Sequence, residues 1–283
     1  MIINSTSQLM VNECREKSMS LAKKTKLALK LAWAVIKLIK NPNDISPIFN
    51  VGEFKNHMSF RQALAKARAD SELNALFNER YRSPKIHDMN ELLQLPANSL
   101  GYTFAKHMQH WKMDVVFYPE IDDPTNDDIT YLRMRSRETH DIHHAVLGMK
   151  PDHLGEMSIS AYYLAQLTIP LSAVLLGVGF LVATIKKPWM IERLVESIIQ
   201  GWNLGKTSKQ ILAVKWEEQW HRPVDEVRAE LGLDIKYETW QLPHQREIEK
   251  IEKAKLDMLL NEKSEDQATK TLSPASIFAR SYN

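Results

Sequence analysis

The chain has one cysteine, Cys14, so it can form neither an internal disulfide nor a thiolate cage for a metal. Nine glycines and no alternating β-branched runs argue against a sheet-rich fold. None of those glycines sits in a phosphate-cradling loop, which excludes P-loop and dinucleotide chemistry. Excess charge is missing too: 37 basic against 35 acidic residues leave +2, too little to imply a nucleic-acid partner. The N-terminus lacks a signal-peptide pattern, and its first twenty residues, with one arginine and two glutamates, make a poor mitochondrial presequence. The expectation is a bacterial cytoplasmic protein, or one without its presequence.

What remains is helix. The apolar residues Leu27, Leu31, Ala34, Val35 and Leu38 recur at three- and four-residue steps. They share their segment with lysines at 23, 24, 26, 30, 37 and 40, with no acid until Asp44. Such a helix suits either an anionic membrane surface or the first position of a bundle with a solvated lysine face. A second helix is expected over 58–80, and 95–113 reads as a loop containing Gly101 followed by a helix. Asn126 or Asp127 is expected to cap a helix ending at Gly148, and Asp152 to cap the next, which runs to Pro170. The uncharged stretch 164–185 is long enough to span a bilayer, but Pro170 divides it, so two buried core helices are expected. Helix is expected again through 188–206, 211–220 and 224–233. The resulting fold class is all-α: a helical domain over 20–240, followed over 241–283 by a charged helical extension and a mobile tail.

Four of the ten histidines fall within "RETHDIHHAVLGMKPDHLGE", residues 137–156. On a helix, with His140 at zero, His144 lies near 40°, Asp141 near 100° and His143 near 300°, at about 100° per residue. Arg133 and Arg137 fall on the same arc, at about 20° and 60°. The Gly148 turn brings Glu156 back opposite His144, so two imidazoles and two carboxylates converge from a helix hairpin. That set suits a divalent ion, zinc first, with magnesium, cobalt or iron as alternatives. The competing reading is a polar seam of ordinary hydrogen bonds, with His143 structural or an outer partner of the site. Arg133 and Arg137 complement an anionic ligand head. Ile159, Ser160, Tyr163 and Leu167 follow Glu156 along one stripe, which is either a lipid-accepting wall or plain core.

His140-Asp141-x-x-His144, followed after eleven residues by Glu156, resembles the signature of the coenzyme Q (ubiquinone) biosynthesis protein four family. Flanking segments resemble it too: "LIKNPNDISPIF", "LPANSLGYTFAKHM", "GWNLGK" and "VKWEEQWHRPVDEVRAELGL". The likeness covers about residues 25–235. Lys206 departs from the family's usual arginine, and neither Leu171–Ile185 nor the tail past 245 matches. The resemblance implies an all-α fold in which His140, Asp141, His144 and Glu156 bind a divalent metal and a hydrophobic channel accepts a polyprenyl lipid. It also implies a peripheral membrane protein that organises other quinone-biosynthesis enzymes, in the cytoplasm of bacteria or on the matrix side of the mitochondrial inner membrane. The implied chemistry is oxidative decarboxylation of a prenylated benzoate. A non-catalytic prenyl-lipid scaffold, a homodimer and a metallohydrolase are the other readings.

Overall fold

The computed structural model describes residues 58–82, 88–113 and 127–271 (backbone alone for 262–271), with isolated helical positions between Thr25 and Lys40. The chain divides into two compact units, Met1–His57 and Met58–Asn283. Among the described residues of the second unit there are ten α-helices and no strand, so the expected all-α class holds. The expected mobile tail lies outside the described residues.

Capping side chains set most helix boundaries. The helix expected over 58–80 is two helices, α1 (Met58–Ala69) and α2 (Ser71–Glu79). Asp70 divides them because its carboxylate accepts the Leu73 amide at 2.8 Å, starting a new helix. After the short α3 (Met89–Leu93), α4 (Leu100–Trp111) begins at Ser99, whose hydroxyl accepts the Tyr102 amide. Gly101 is therefore helical and not part of a loop. A Cβ there would stand 2.6 Å from Leu95 Cδ1 and 3.1 Å from the Trp220 carbonyl, so close packing explains this glycine.

The central hairpin follows the expected pattern. Asp127 caps α5 (Asp128–Val146), Gly148 turns the chain at φ 64°, and Asp152 caps α6 (His153–Leu167). Thr168, at φ 58°, ends α6, and Pro170 occupies the first turn of α7 (Pro170–Lys186). A 3₁₀ turn, Pro188–Met190, leads into α8 (Ile191–Thr207). Gly201 and Gly205 let α8 lie directly on the α6 backbone: Cβ atoms there would come within 1.9 Å of the Ser158 carbonyl and 2.6 Å of the Tyr162 carbonyl.

Helix was also expected over 211–220, but this segment forms two 3₁₀ turns, Ile211–Ala213 and Trp216–Glu218. The buried Arg135 donates to the carbonyls of Leu212 and Val214, which an α-helix would have used internally. The chain then forms α9 (Val224–Leu231) and α10 (Gln245–Thr271). Ion pairs Arg193–Glu252 at 2.9 Å and Lys187–Glu249 at 2.6 Å hold the first turns of α10. The charged extension expected past 241 is thus helical and docked at its start.

The core gathers Phe77, Leu100, Ile142, Tyr162, Ile211 and Trp216 around the hairpin. No helix among the described residues is long and apolar enough to cross a membrane. The expectation that 164–185 is wholly buried is corrected in part. On α7, Val178, Val182 and Ala183 are buried, whereas Phe180, Leu181 and Ile185 are exposed at 39%, 46% and 63%.

Candidate metal centre

The hairpin places His140 and His144 one turn apart on α5, facing Glu156 in the first turn of α6. His144 Nε2 is 3.2 Å from Glu156 Oε1, and His140 Nε2 is 3.7 Å from Oε2. One ligand atom from each residue lies within 4.8 Å of the others, close enough to share one ion. A tetrahedral ion with bonds of about 2.0–2.1 Å needs its donors roughly 3.3 Å apart; the two histidine–carboxylate separations lie near that value, each to a different oxygen of Glu156.

His144 carries the sharpest electrostatic statement. The ring is fully buried, and Nδ1 donates to the Met149 carbonyl at 3.0 Å. The other ring nitrogen, Nε2, is buried and lacks a hydrogen-bond partner despite the nearby carboxylate. A buried ring nitrogen facing a carboxylate oxygen at this distance calls for a proton or a metal cation between them. Burial works against the charge on Glu156, but His144 and His140 outweigh it and hold its pKa down at about 2. Burial likewise opposes charge on His140. The Asp141 hydrogen bond and the charges of Glu156 and Asp141 override it, and the pKa rises above its ordinary value.

Asp141 does not belong to the converging group. Its carboxylate stands 3.6 Å from His140 Nδ1, while the other ring nitrogen of His140 faces Glu156. A carboxylate so placed can orient the imidazole. Arg133 and Arg137 are half-buried on α5, two turns and one turn before His140. Ile159 and Leu167 are core residues at 1% and 2% exposure. Tyr163, from the same stripe, is also buried and is bonded to His143.

Two neighbours, His107 and Trp216, had no signal in the sequence. His107 of α4 is fully buried, its ring stacked 6.2 Å from that of His144. Its Nδ1 pairs with Thr239 Oγ1 at 2.7 Å, and its Nε2 has no partner. Burial, then the charge of His144, lowers the His107 pKa to about 3, so the ring is neutral at physiological pH. Trp216 and Tyr163 both reach His143, which points away from the ligand group as its 300° position required. A lone histidine in "FAKHMQH", or a tryptophan seventy residues from its partner, carries no local pattern.

Three comparisons bear on this site. A family model described as Coenzyme Q (ubiquinone) biosynthesis protein Coq4 matches residues 16–236. The chain is 25% identical over 202 residues to the mitochondrial ubiquinone biosynthesis protein COQ4 homolog of Danio rerio, covering 69% of this chain and 72% of that protein. It is 31% identical over 157 residues to mitochondrial ubiquinone biosynthesis protein COQ4 of Eremothecium gossypii. That match covers 52% of this chain and 45% of the fungal protein, so the chain spans under half of that relative's length. Among solved structures, a Nostoc punctiforme PCC 73102 protein provisionally named for ubiquinone biosynthesis superposes with a TM-score of 0.63 at 30% identity. The superposition covers 73% of this chain and 98% of the other.

Proposed function

Because the chain belongs to the coenzyme Q (ubiquinone) biosynthesis protein Coq4 family, we propose that it acts in ubiquinone biosynthesis through a divalent metal held by His140, His144 and Glu156. The observation that carries this reading is the buried, unpartnered Nε2 of His144 set against the Glu156 carboxylate. Asp141 orients His140 from behind. Two imidazoles and a carboxylate suit zinc, and also cobalt or iron; magnesium, which prefers oxygen donors, suits them less. Once bound, the ion supplies Lewis-acid or redox chemistry at a position the protein leaves open.

The reaction proposed is oxidative decarboxylation of a prenylated benzoate. The bond from the ring to its carboxylate breaks with release of carbon dioxide, water supplies the hydroxyl oxygen that takes its place, and dioxygen accepts the two electrons and two protons as hydrogen peroxide. Arg133 or Arg137 supplies the cation that holds the substrate carboxylate. The lipid tail takes an apolar path outside the tightly packed core. The relatives' names carry the word mitochondrial, which supports a mitochondrial setting if the chain is eukaryotic. Peripheral membrane attachment, contact with other quinone-biosynthesis enzymes and a homodimer belong to the same proposal.

A second reading, a non-catalytic prenyl-lipid scaffold, draws on the exposed apolar residues of α7 and on Ile199 and Trp202 of α8. Elemental analysis of the purified chain, with native mass spectrometry of bound lipid, separates the two. Stoichiometric metal lost in Glu156→Ala, with a prenyl lipid bound, supports the enzyme and directs work to decarboxylation assays. Lipid without metal in either protein leaves the scaffold.

A further inference from the structure

The hydrogen bonds behind the metal group have a fixed direction. Trp216 is fully buried, and its indole nitrogen can only donate. It donates to His143 Nε2 at 3.2 Å, so that nitrogen must carry the lone pair. His143 is also fully buried, and a ring that accepts a hydrogen bond at Nε2 cannot be the doubly protonated cation. A neutral imidazole with its lone pair on Nε2 has its proton on Nδ1. His143 Nδ1 lies 2.6 Å from the Tyr163 hydroxyl, so His143 donates and the phenol oxygen accepts.

A phenol hydroxyl ordinarily rotates to suit whichever neighbour is present. Here one direction is closed, because the proton of Tyr163 cannot point at a nitrogen that already bears one. That proton must go to an acceptor other than His143. Tyr163 stands two turns after Glu156 on α6, so both side chains share a face. The Tyr163 ring borders His140 as well as His143, with centroid separations of 6.2 and 5.8 Å.

We propose that Tyr163 is a positioning residue for the metal group. The Trp216–His143 pair fixes its hydroxyl so that the phenol donates on the His140 side of the site. The ligand set and the adjacent Asp141 supply no neutral donor there: Glu156 and Asp141 are carboxylates, and a ligating imidazole nitrogen offers its lone pair. Tyr163 thereby gives the centre a hydrogen bond for an anionic ligand oxygen, or for the acceptor that steers His140. This inference rests on the metal reading above. A purely structural pair, bonded only to satisfy buried polar atoms, would leave the metal's affinity and spectrum unchanged when altered.

The test is a cobalt(II) titration of the purified full chain, reading affinity by chelator competition and coordination by the visible absorption bands. Tyr163→Phe is expected to weaken cobalt binding by about 10- to 100-fold and to shift the bands, the scale of effect when an outer partner of a metal site is removed. His143→Gln supplies the rescue, since an amide can accept from Trp216 and donate to Tyr163 in the same sense. It is expected to bind cobalt like the wild type, whereas His143→Leu behaves like Tyr163→Phe. A folded Tyr163→Phe with wild-type affinity and spectrum overturns the proposal. Should that variant not fold, the two His143 variants decide: equal cobalt binding in both overturns it as well. Wild-type protein that takes up no cobalt is a separate outcome, which removes the metal reading and the inference with it.

Discussion

At the scale of single residues, the buried histidines make the fold sensitive to acid. His107 titrates at about 3 in the folded chain against 6.5 for a free histidine. Its neighbours in this balance are His144 and His110, which disfavour its charge, and Asp141, which favours it, with burial the largest influence. A depressed histidine pKa means that the unfolded chain binds the proton first. Stability is therefore full above about pH 6.5 and declines as the pH falls toward 3. By pH 4.5 the loss from this residue is about 2–3 kcal/mol. Glu156, held at about 2 in the folded chain against 4.5 for a free carboxylate, adds to the loss in the same direction, because the unfolded chain takes up that proton first as well. Urea unfolding of chelator-treated protein at pH 7 and pH 4.5 should show a smaller acid loss in His107→Phe than in the wild type. Equal losses would mean that the ring is already solvated. The converging residues His140, His144 and Glu156 were legible in the sequence because their spacing is local: four residues on one helix, and a short turn that returns Glu156 to His144. Asp141 was legible as a member of the arc but not in its role, because rotamer and neighbour decide which ring nitrogen it meets. His107 and Trp216 were not legible, since only tertiary packing brings them to the site.

At the scale of elements, the caps at Asp127, Gly148, Asp152 and Pro170 were read correctly, because each acts on backbone groups within three or four residues. Two of the three errors share a cause. Asp70 fell inside the helix expected over 58–80 and proved to be a cap. Gly101 looked like a turn and proved to be a contact with Leu95 and Trp220. The 211–218 segment looked helical until Arg135 claimed its carbonyls. Tertiary demands overrode local preference in the last two cases. The α6–α8 contact supplies a direct test. Gly201 has no room for a methyl group, because the obstacle is the Ser158 backbone carbonyl and not a side chain that can turn away. Gly201→Ala should lower stability by about 1–3 kcal/mol, the range for overpacking a close contact. Thermal unfolding reads this as a lower Tm, and an unchanged Tm would show that the helices can separate freely. Since α6 carries Glu156, the same variant should also weaken metal uptake.

At the scale of the whole molecule, a net charge of +2 conceals an uneven distribution. The lysines at 23, 24, 26, 30, 37 and 40 meet no acid before Asp44, while residues 170–185 of α7 carry no charge at all. In the first unit, Leu29, Trp33 and Ile36 are exposed helical residues, and Lys37 stands 4.0 Å over the Trp33 ring. At about 100° per residue these three apolar side chains fall within roughly 60° of one another, a narrow face bordered by lysine. Such a face is attracted to anionic lipid, each lysine near the surface contributing about 1 kcal/mol. Replacing Lys37 and Lys40 with glutamine should thus cost about 2 kcal/mol, roughly 30-fold in binding to vesicles rich in anionic lipid. Flotation with such vesicles should show that loss at low salt, and the wild type should itself release as ionic strength rises. On zwitterionic vesicles the substituted and wild-type chains should bind alike. If the wild type binds both kinds of vesicle equally and ignores salt, the lysines are not the attachment. The exposed Phe180, Leu181 and Ile185 of α7 would then be the surface to alter, because an uncharged apolar face binds lipid without regard to headgroup charge.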